Sequence, residues 1–440
     1  MGASSAMKHR RLWPAVAVMV LAFVSACGGD SEGGSDSADL TVWVDAARLP
    51  VAKAYQKANP DVKMDIVTYD GDGNGATTLQ GKIQLWNRAG KGWPDVIFSQ
   101  QANDPVWMGQ KPFDFAATIT DLMPDSLLSQ WPATSTAQCT VDGRQVCVQD
   151  NIAQVVLWVN QKQMDAFGYT VPTTWQEWAA LGAKVATEHP GYIIGNIGDS
   201  YSHWIYLWGN QCPLSGVDGN TVTINATDEH CTEMADLVDP LIKNGTLPPL
   251  GVFTPDFAKQ YGGDDDKVLM MPGPTWYALS VFGDTLHIPA GEMTAANALS
   301  WNGETPVTTG QIGGGPWVIS KHAKDSKAAA DFVTYATTEF NPTGKDARGG
   351  YPAYKPLADT WLKGMATNPY FAADPTPALK EAADKVWGGW GLVTYPDQPA
   401  WSETVVAKLV AGDSLSSLLE PFGEALANAA KAAGYEVASN

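Results

Sequence analysis

The sequence has few cysteines, few histidines and a shortage of basic residues. Five cysteines and six histidines occur in 440 residues, and 28 Lys and Arg stand against 47 Asp and Glu, which gives a formal net charge of −19. Nucleic-acid binding requires clustered positive charge, so this acidity argues against that class of protein. The chain also lacks GxSxG, HExxH, CxxC and paired His residues at metal-ligand spacing. We therefore expect no metal and no cofactor.

The apolar run near the N-terminus is too short to span a bilayer as a permanent helix. It covers residues 12–24 and follows the basic residues Lys8, Arg10 and Arg11. A basic patch, a short apolar segment and small residues before a cleavage point are typical of an export signal. We predict a signal peptide over residues 1–26, whose removal takes three basic residues and makes the mature chain still more acidic. The Arg10-Arg11 pair leaves open whether export follows the general secretory or the twin-arginine route.

A cysteine follows directly after the small residues at the end of this segment. The sequence Val24-Ser25-Ala26-Cys27 matches the lipobox of bacterial lipoproteins, in which the cysteine is diacylated and becomes the mature N-terminus. We predict that Cys27 is lipidated and that residues 27–38, which have no large apolar side chain, form a flexible tether. The alternative is an ordinary cleaved signal followed by a spare cysteine.

Lipidation of Cys27 would leave four cysteines, an even number. Four cysteines allow three pairings, and closeness along the chain favours Cys139–Cys147 and Cys212–Cys231. Disulfides belong to an oxidising exterior, which agrees with an exported protein.

The mature chain opens with a β-α-β pattern. Residues 40–44 predict a first strand, residues 49–58 a helix, and the alternation from residue 62 to residue 68 a second strand. Such a unit implies a right-handed crossover and a parallel sheet. The C-terminal residues 415–433 have a helical pattern with one apolar side, and the preceding helix is predicted to end at Gly412.

A second strand pattern occurs in the middle of the chain, with polar residues at its entrance. Residues 155–159 are almost uniformly apolar, which is typical of a strand buried on both faces. Thr174 and Glu177 have the spacing of a capping box and predict the start of a helix. Polar side chains at a buried entrance need hydrogen-bond partners, either from another loop or from a polar ligand. The entrance residues are Gln149, Asp150, Asn151 and Gln154.

The segment "LWVNQKQMDAFGYTVPTTWQEW", residues 157–178, resembles a segment of bacterial extracellular solute-binding proteins that serve carbohydrate ABC importers, the maltose-binding-protein type. Further matches follow in the same order along nearly all of the mature chain, namely "PDVIF" at 94–98, "KVLMMPGPTWYALSVF" at 267–282, "GGGPWVISK" at 313–321 and "GGYP" at 349–352.

The resemblance implies an α/β fold of two lobes, with mostly parallel sheets flanked by helices and three hinge crossings. The crossings are expected near residues 148–154, 303–310 and 351–357. The N-terminal lobe would comprise 39–149 plus 307–352, and the C-terminal lobe 150–306 plus 353–440.

The resemblance and the strand ends together give the candidate binding residues. Trp276 is expected to be a stacking platform, while the amides of Gln100 and Gln101 follow a strand and suit sugar hydroxyls. For Arg48 a solvated loop charge is the competing interpretation, and for Trp204 an ordinary core position. The predicted ligand-binding residues are Arg48, Gln100, Gln101, Asp150, Asn151, Gln154, Asp199, Tyr201, Trp204, Trp276, Trp317, Tyr351 and Trp390.

The predicted function is binding without catalysis. A monomeric receptor, anchored by lipid at the outer face of the bacterial cell membrane, would capture an oligosaccharide and deliver it to an ABC permease. Aromatic rings would cover the C–H faces of the sugar, and polar side chains would bond its hydroxyls. Two alternatives remain open. One is a lipid-anchored glycoside hydrolase, which needs two carboxyl groups ~5–9.5 Å apart. The other is a receptor of the same fold for a peptide, polyamine or amino acid.

Overall fold

The computed structural model describes residues 38–71, 77–341, 350–391, 395 and 397–438. The predicted signal peptide, the lipidation site Cys27, the tether up to residue 37, and Gly349 lie outside these residues. No helix within the described ranges has the length and apolar character needed to cross a bilayer. The described residues all belong to one compact unit, Gly33–Asn440.

Thirteen strands are described. In chain order they are β1 (Leu40–Val44), β2 (Met64–Thr68), β3 (Val96–Phe98), β4 (Thr140–Val141), β5 (Arg144–Gln145), β6 (Val148–Gln149), β7 (Val155–Asn160), β8 (Ser215–Asp218), β9 (Thr221–Ile224), β10 (Met270–Pro274), β11 (Met293–Ala296), β12 (Pro316–Ile319) and β13 (Glu436–Val437).

The described helices are α1 (Leu49–Ala58), α2 (Thr77–Ala89), α3 (Asp104–Met108), α4 (Asp125–Leu128), α5 (Ala133–Gln138), α6 (Gln161–Phe167), α7 (Trp175–Glu188), α8 (Ser202–Gly209), α9 (Glu229–Asn244), α10 (Pro255–Tyr261), α11 (Ser326–Thr338), α12 (Lys355–Ala366), α13 (Thr376–Ala383), α14 (Asp397–Trp401), α15 (Ala407–Ala411) and α16 (Leu415–Ala432). A short 3-10 helix covers Ile119–Asp121, and wider π-helical turns cover Ala278–Thr285 and Ser402–Val406.

The first sheet has the strand order β2-β1-β3-β12-β6. Strand β1 pairs in parallel with β2 and with β3, and α1 connects β1 to β2, as the β-α-β pattern predicted. Strand β12 returns antiparallel between β3 and β6. All five residues of β1 are buried, so the centre of this sheet lies in the core.

The second sheet has the strand order β10-β7-β11, and both pairs are antiparallel. All six residues of β7 are buried, which confirms the predicted central strand. The prediction of mostly parallel sheets is wrong for this sheet. The reason is that a strand covered on both faces is apolar throughout, whatever the direction of its neighbours. In the first sheet the prediction holds for β2-β1-β3, and β13 also pairs in parallel with β9.

The chain passes from the first sheet to the second between β6 and β7 and returns between β11 and β12. After α11 it passes back, because α13 packs on β7 and β11. These passages lie side by side, since Asn151 pairs with Pro352 and Gln154 with Gln311. Thr309 Oγ1 donates to the Val155 carbonyl, so residue 309 still contacts the second sheet. The predicted residue limits of the two lobes stay predictions.

Local sequence signals outside the sheets agree with the structure. Thr174 Oγ1 accepts from the Glu177 N–H and begins α7, although Glu177 Oε2 accepts from Thr173 rather than from the Thr174 N–H. Gly412 ends α15 in the left-handed conformation. Both predicted disulfides, Cys139–Cys147 and Cys212–Cys231, are present. The small sheet of β8, β9 and β13 was not predicted.

Candidate functional site

Charged side chains meet where β1 ends and where the chain first leaves the first sheet. The Arg48 guanidinium lies 3.3 Å from Asp45 Oδ2 through Nη1 and 3.3 Å from Asp150 Oδ2 through Nη2. Its carbon atom also lies 4.1 Å from the centre of the Phe98 ring. Because the Arg48 side chain is 21% exposed, it is fixed by these partners and still reaches the surface.

The segment after β3 adds an amide to this charged group. Gln100 Nε2 donates to Asp45 Oδ2 at 2.8 Å, and the Gln100 N–H donates to the Gly71 carbonyl. Gln100 is half-buried, whereas the neighbouring Gln101 is buried. Of the two predicted amides, Gln100 is therefore the one that presents surface.

Aromatic rings come from the residues that follow β10 and from the loop before α10. Trp276 is half-buried and donates its Nε1–H to the Ile312 carbonyl at 2.9 Å. The Phe253 ring lies 6.1 Å from the Trp276 ring at an interplanar angle of 11°, and Tyr201 meets Trp276 edge-on. Phe253 is 53% exposed, which is unusual for a phenylalanine. The two nearly parallel rings are called the two-ring surface below.

Asp199 holds the loop that carries Phe253. Its Oδ1 accepts from the Val252 N–H at 3.1 Å, and its Oδ2 accepts from Asn196 Nδ2 at 2.5 Å. Burial raises the pKa of the Asp199 carboxyl to about 7, and these two hydrogen bonds oppose that rise. Because both oxygens have partners, the structure gives Asp199 a positioning contact with the two-ring surface.

Gly313 lies between the polar group and the aromatic group. A Cβ atom at this residue would stand 3.7 Å from the Gln100 carbonyl oxygen and 3.8 Å from Trp276 Nε1. Gly313 and Gly314 both have positive φ angles, +87° and +89°, which L side chains rarely adopt. Gln100, which follows β3 of the first sheet, and Trp276, which follows β10 of the second sheet, thus approach each other at this pair of glycines.

The structure corrects the stacking role predicted for Trp317. This side chain has no exposed surface, donates its Nε1–H to Asp150 Oδ1 at 3.0 Å, and packs edge-on against Phe98 and Phe332. It belongs to β12, a central strand, where a ring is enclosed by the helices that cover the sheet. Trp317 therefore fixes the Asp150 carboxylate from within the core.

Trp204 and Trp390 are also core residues, contrary to the predicted binding roles. Trp204 donates its Nε1–H to Asp397 Oδ2 at 2.9 Å, and the Trp390 ring stacks on Trp208 at 5.1 Å and 5°. Both side chains are at most 5% exposed. For Trp204 the competing interpretation, an ordinary core position, is the correct one.

The polar residues at the entrance of β7 are bonded largely by other parts of the chain. Gln154 is buried, and its Nε2 donates to the Leu379 carbonyl at 2.7 Å. Asn151 pairs through its backbone with Pro352, and the adjacent Tyr351 is buried against Trp361. The partner of Gln154 is therefore another part of the protein, the helix α13, rather than the loop or the ligand that the sequence suggested.

Two residues of the site were missed. Asp45 is the first residue after β1, and the rule that ligands gather at the carboxyl ends of strands would have found it. Phe253 lies in an irregular loop after Gly251, where no periodicity distinguishes an exposed ring from a buried one.

The part of the chain that the structure describes contains no group of three or more His, Cys, Asp or Glu side chains placed to hold a metal ion.

Comparison with known proteins places the chain among binding proteins. The model of the family described as bacterial extracellular solute-binding protein matches residues 37–339, which is more than half of the chain. No curated protein sequence gives a significant match.

Several solved structures share the fold. The galacto-N-biose/lacto-N-biose I-binding protein of an ABC transporter from Bifidobacterium longum is 16% identical, with a TM-score of 0.72 over 92% of this chain and 100% of that one. An ABC transporter associated binding protein from B. animalis subsp. lactis, in complex with β-1,6-galactobiose, is 19% identical, with a TM-score of 0.73 over 91% and 99%. The GacH receptor of Streptomyces glaucescens is 17% identical, with a TM-score of 0.65 over 90% and 99%.

Proposed function

Because the chain belongs to the family of bacterial extracellular solute-binding proteins, we propose that it captures an oligosaccharide between its two lobes and delivers it to an ABC permease. The observation that carries this proposal is the placement of Gln100 and Trp276 on either side of Gly313. The charged group that includes Gln100 and the aromatic group that includes Trp276 therefore approach each other at this glycine. Closure of two lobes about a hinge is the usual motion of this fold.

The chemistry of the two sides suits a sugar. A pyranose has C–H faces that lie well on flat rings, and the two-ring surface provides two such rings within 6.1 Å of each other. Its hydroxyls need hydrogen-bonding partners, which Arg48 and Gln100 provide, while the buried Asp45 holds both of these side chains in place. These side chains, called the polar wall below, already hydrogen-bond to one another, so they are ordered before a ligand arrives. Preorganisation of this kind reduces the entropy lost on binding.

The similar structures support a sugar ligand. The three structures include complexes with lacto-N-biose, with β-1,6-galactobiose, and with acarbose or a homologue of it, respectively. All three ligands are rich in hydroxyl groups. We take an oligosaccharide as the class of ligand for this chain and leave its linkage to experiment.

The proposed contacts fall into two groups. Arg48, Gln100, Tyr201, Phe253 and Trp276 would touch the ligand, because they belong to the charged group and the aromatic group that approach each other at Gly313. The other predicted residues line the passages between the sheets. They would act indirectly, by positioning the residues of the first group or of the hinge. They are Gln101, Asp150, Asn151, Gln154, Asp199 and Tyr351.

The location and state of the protein belong to the same proposal. The signal over residues 1–26 would be removed, Cys27 would carry the lipid, and residues 27–38 would tether a monomeric receptor to the outer face of the cell membrane. The lobes would comprise 39–149 plus 307–352, and 150–306 plus 353–440. The basis is the N-terminal sequence and the extracellular character of the family.

We also propose that the chain binds without catalysis. The two carboxylates nearest to Arg48, Asp45 and Asp150, both form ion pairs with its guanidinium. A glycosidase needs one carboxyl group that is protonated and free to act as a general acid. Two carboxylates that share one cation are suited to ordering the polar wall.

A ligand screen with product analysis tests the function. The purified mature protein is melted with mono-, di- and oligosaccharides, and each sugar is then recovered and analysed. We expect a raised melting temperature with one class of oligosaccharide, because a ligand at about 100 times its Kd stabilises the folded state by about 2.7 kcal/mol. The sugar should be recovered unchanged.

The other outcomes each contradict part of the proposal. Shorter sugars among the products would show a glycoside hydrolase. Stabilisation by a peptide, polyamine or amino acid and by no sugar would show a receptor of the same fold for another solute.

A further inference from the structure

An open pocket on the surface of the first lobe lies at the end of the first sheet that is remote from the candidate site. Trp93 precedes β3, whereas Gln100 follows it. Because β12 runs antiparallel to β3 and pairs Ile319 with Val96, His322 emerges beside Trp93. This pocket has a volume of about 420 Å³ and is called the distal pocket. It is lined by Asn87, Trp93, Lys111, Pro112, Phe113, Asp114, Lys321 and His322.

The aromatic wall of the distal pocket is fixed by contacts between separate segments. The Trp93 and His322 rings are stacked, with centroids 3.8 Å apart and an interplanar angle of 12°. Trp93 Nε1 donates to Asn87 Oδ1 at 2.9 Å, and Asn87 Nδ2 donates to the Phe113 carbonyl at 2.7 Å. These bonds connect α2, the segment before β3, the loop after α3 and the loop after β12. The wall is therefore formed before any ligand binds.

The distal pocket carries positive charge in an acidic protein. Lys321 Nζ lies 2.5 Å from Asp114 Oδ2, so these two charges compensate each other. Lys111 forms no ion pair with any described residue, and its charge remains. Burial, and then the neighbouring Lys321, lower the pKa of His322, so this ring is neutral near pH 7. The lining thus has a net charge of one positive unit, although the whole chain has a formal charge of −19.

The shape and charge define one class of ligand. Pockets for small molecules usually measure about 300–1,000 Å³ and combine apolar walls with a few polar groups, as this pocket does. Trp93, His322 and Phe113 present ring surface, His322 presents its ring nitrogens, and Lys111 presents a cation that attracts a carboxylate. We propose that the distal pocket is a second binding site, for a small ring compound that carries one carboxylate, such as a hexuronic acid.

The test measures binding of D-glucuronate to the mature protein by calorimetry and by ligand-observed NMR, with D-glucose and acetate as comparison probes. We use the Trp276→Ala background, so that the candidate site between the lobes is impaired. Glucuronate should bind, and glucose and acetate should each bind at least about fivefold more weakly, since each lacks the carboxylate or the ring. Binding should also weaken as salt concentration rises.

Variants distinguish the distal pocket from the rest of the surface. Lys111→Gln should weaken glucuronate binding about two- to fivefold, and Lys57→Gln, which removes an exposed lysine of α1, should leave it unchanged. Lys111 is exposed, so its replacement leaves the fold intact. Three results would each overturn the proposal: no glucuronate binding at millimolar concentration, equal binding of glucose, or equal effects of the two lysine variants. Loss of all glucuronate binding in Trp276→Ala, with binding in the wild type, would place the acid between the lobes instead.

Discussion

Trp276 and Phe253 place two nearly parallel rings beside the hinge, and one of the two is more than half exposed. If a sugar ring lies on this surface, Trp276→Ala should weaken sugar binding by about 1–3 kcal/mol, judged from stacking of bases on aromatic side chains. Phe253→Ala should weaken it by about 0.5–1.5 kcal/mol. Leu85→Ala is the matched control, because Leu85 is equally exposed, at 53%, and lies on α2.

Calorimetry with the sugar found in the thermal screen measures these three variants. The Leu85 variant should bind like the wild type. If Phe253→Ala and Leu85→Ala behave alike while Trp276→Ala binds weakly, the surface consists of Trp276 alone. If all three retain full affinity, the sugar does not lie on this surface.

A buried carboxyl group in the second lobe makes stability depend on pH. Burial, and then the nearby Glu292, raise the pKa of Asp266 to about 6. Its Oδ1 accepts from Asn160 Nδ2 and the Val268 N–H, whereas Asp266 Oδ2 and Glu292 Oε2 have no partner among the described residues. A proton on Asp266 Oδ2 can therefore donate to Glu292. Because the folded state holds this proton more tightly than the unfolded state, the free energy of unfolding should fall as pH rises from about 4 to about 6.

Asp266→Asn tests this dependence. The Asn side-chain oxygen would keep the two hydrogen bonds of Oδ1, and its amide would donate to Glu292 without titrating. Urea unfolding across this pH range should show a decline for the wild type that is about 1–3 kcal/mol larger than for the variant. Asp236→Asn, an exposed aspartate of α9, should retain the wild-type slope. A variant slope equal to that of the wild type would mean that Asp266 is ionised throughout.

Among the secondary-structure elements, α7 offers a test of local sequence signals. Thr174 Oγ1 satisfies the Glu177 N–H, one of the first amides of the helix that have no partner within it. Thr174→Ala should lower the free energy of unfolding by about 1 kcal/mol, while Thr174→Ser, which keeps the hydroxyl, should lower it much less. Urea unfolding measures both. Equal losses would mean that the Thr174 methyl group, not the cap, contributes the stability.

Elements with a strong periodic pattern could be predicted from the sequence. The relative direction of neighbouring strands and the burial of individual tryptophans could not. The apolar run of β7 and the caps of α7 and α15 are properties of neighbouring residues, so the sequence alone reveals them. The antiparallel neighbours of β7 are set by residues more than 100 positions away, such as Met271 opposite Trp158. The burial of Trp317 depends in the same way on Phe98, which is also more than 100 positions away. Such contacts leave no local signature.

The candidate site shows the same division. Its polar side follows strand ends, and a rule about strand ends found Gln100 and would have found Asp45. Its aromatic side combines Trp276, which the family resemblance of residues 267–282 indicated, with Phe253, which only the three-dimensional arrangement reveals. Three of the predicted tryptophans proved to be core residues, because composition does not distinguish a ring needed for packing from a ring exposed for binding.

For the molecule as a whole, the mechanism requires the lobes to move about the passages between the sheets. Gly313 is a suitable pivot, because its φ of +87° is open to glycine and its neighbours come from both sides of the site. In Gly313→Ala the new Cβ atom would make only ordinary contacts, so its cost is backbone strain of about 1–2 kcal/mol. Gly412 ends α15, outside the passages between the sheets, and has a φ of +103° with no atom near its absent Cβ, so alanine there would incur similar strain.

The two alanine variants therefore separate hinge function from stability. Both should unfold at lower urea concentration than the wild type, by similar amounts. Only Gly313→Ala should bind the sugar several-fold more weakly. Small-angle scattering should show that the radius of gyration decreases less on addition of sugar in this variant than in the wild type or in Gly412→Ala. Equal loss of affinity in the two variants would attribute the effect to stability. A pivot residue must change its φ and ψ angles during closure, so a side chain that restricts these angles should weaken binding. Unchanged affinity and unchanged contraction in Gly313→Ala would therefore place the pivot at another passage.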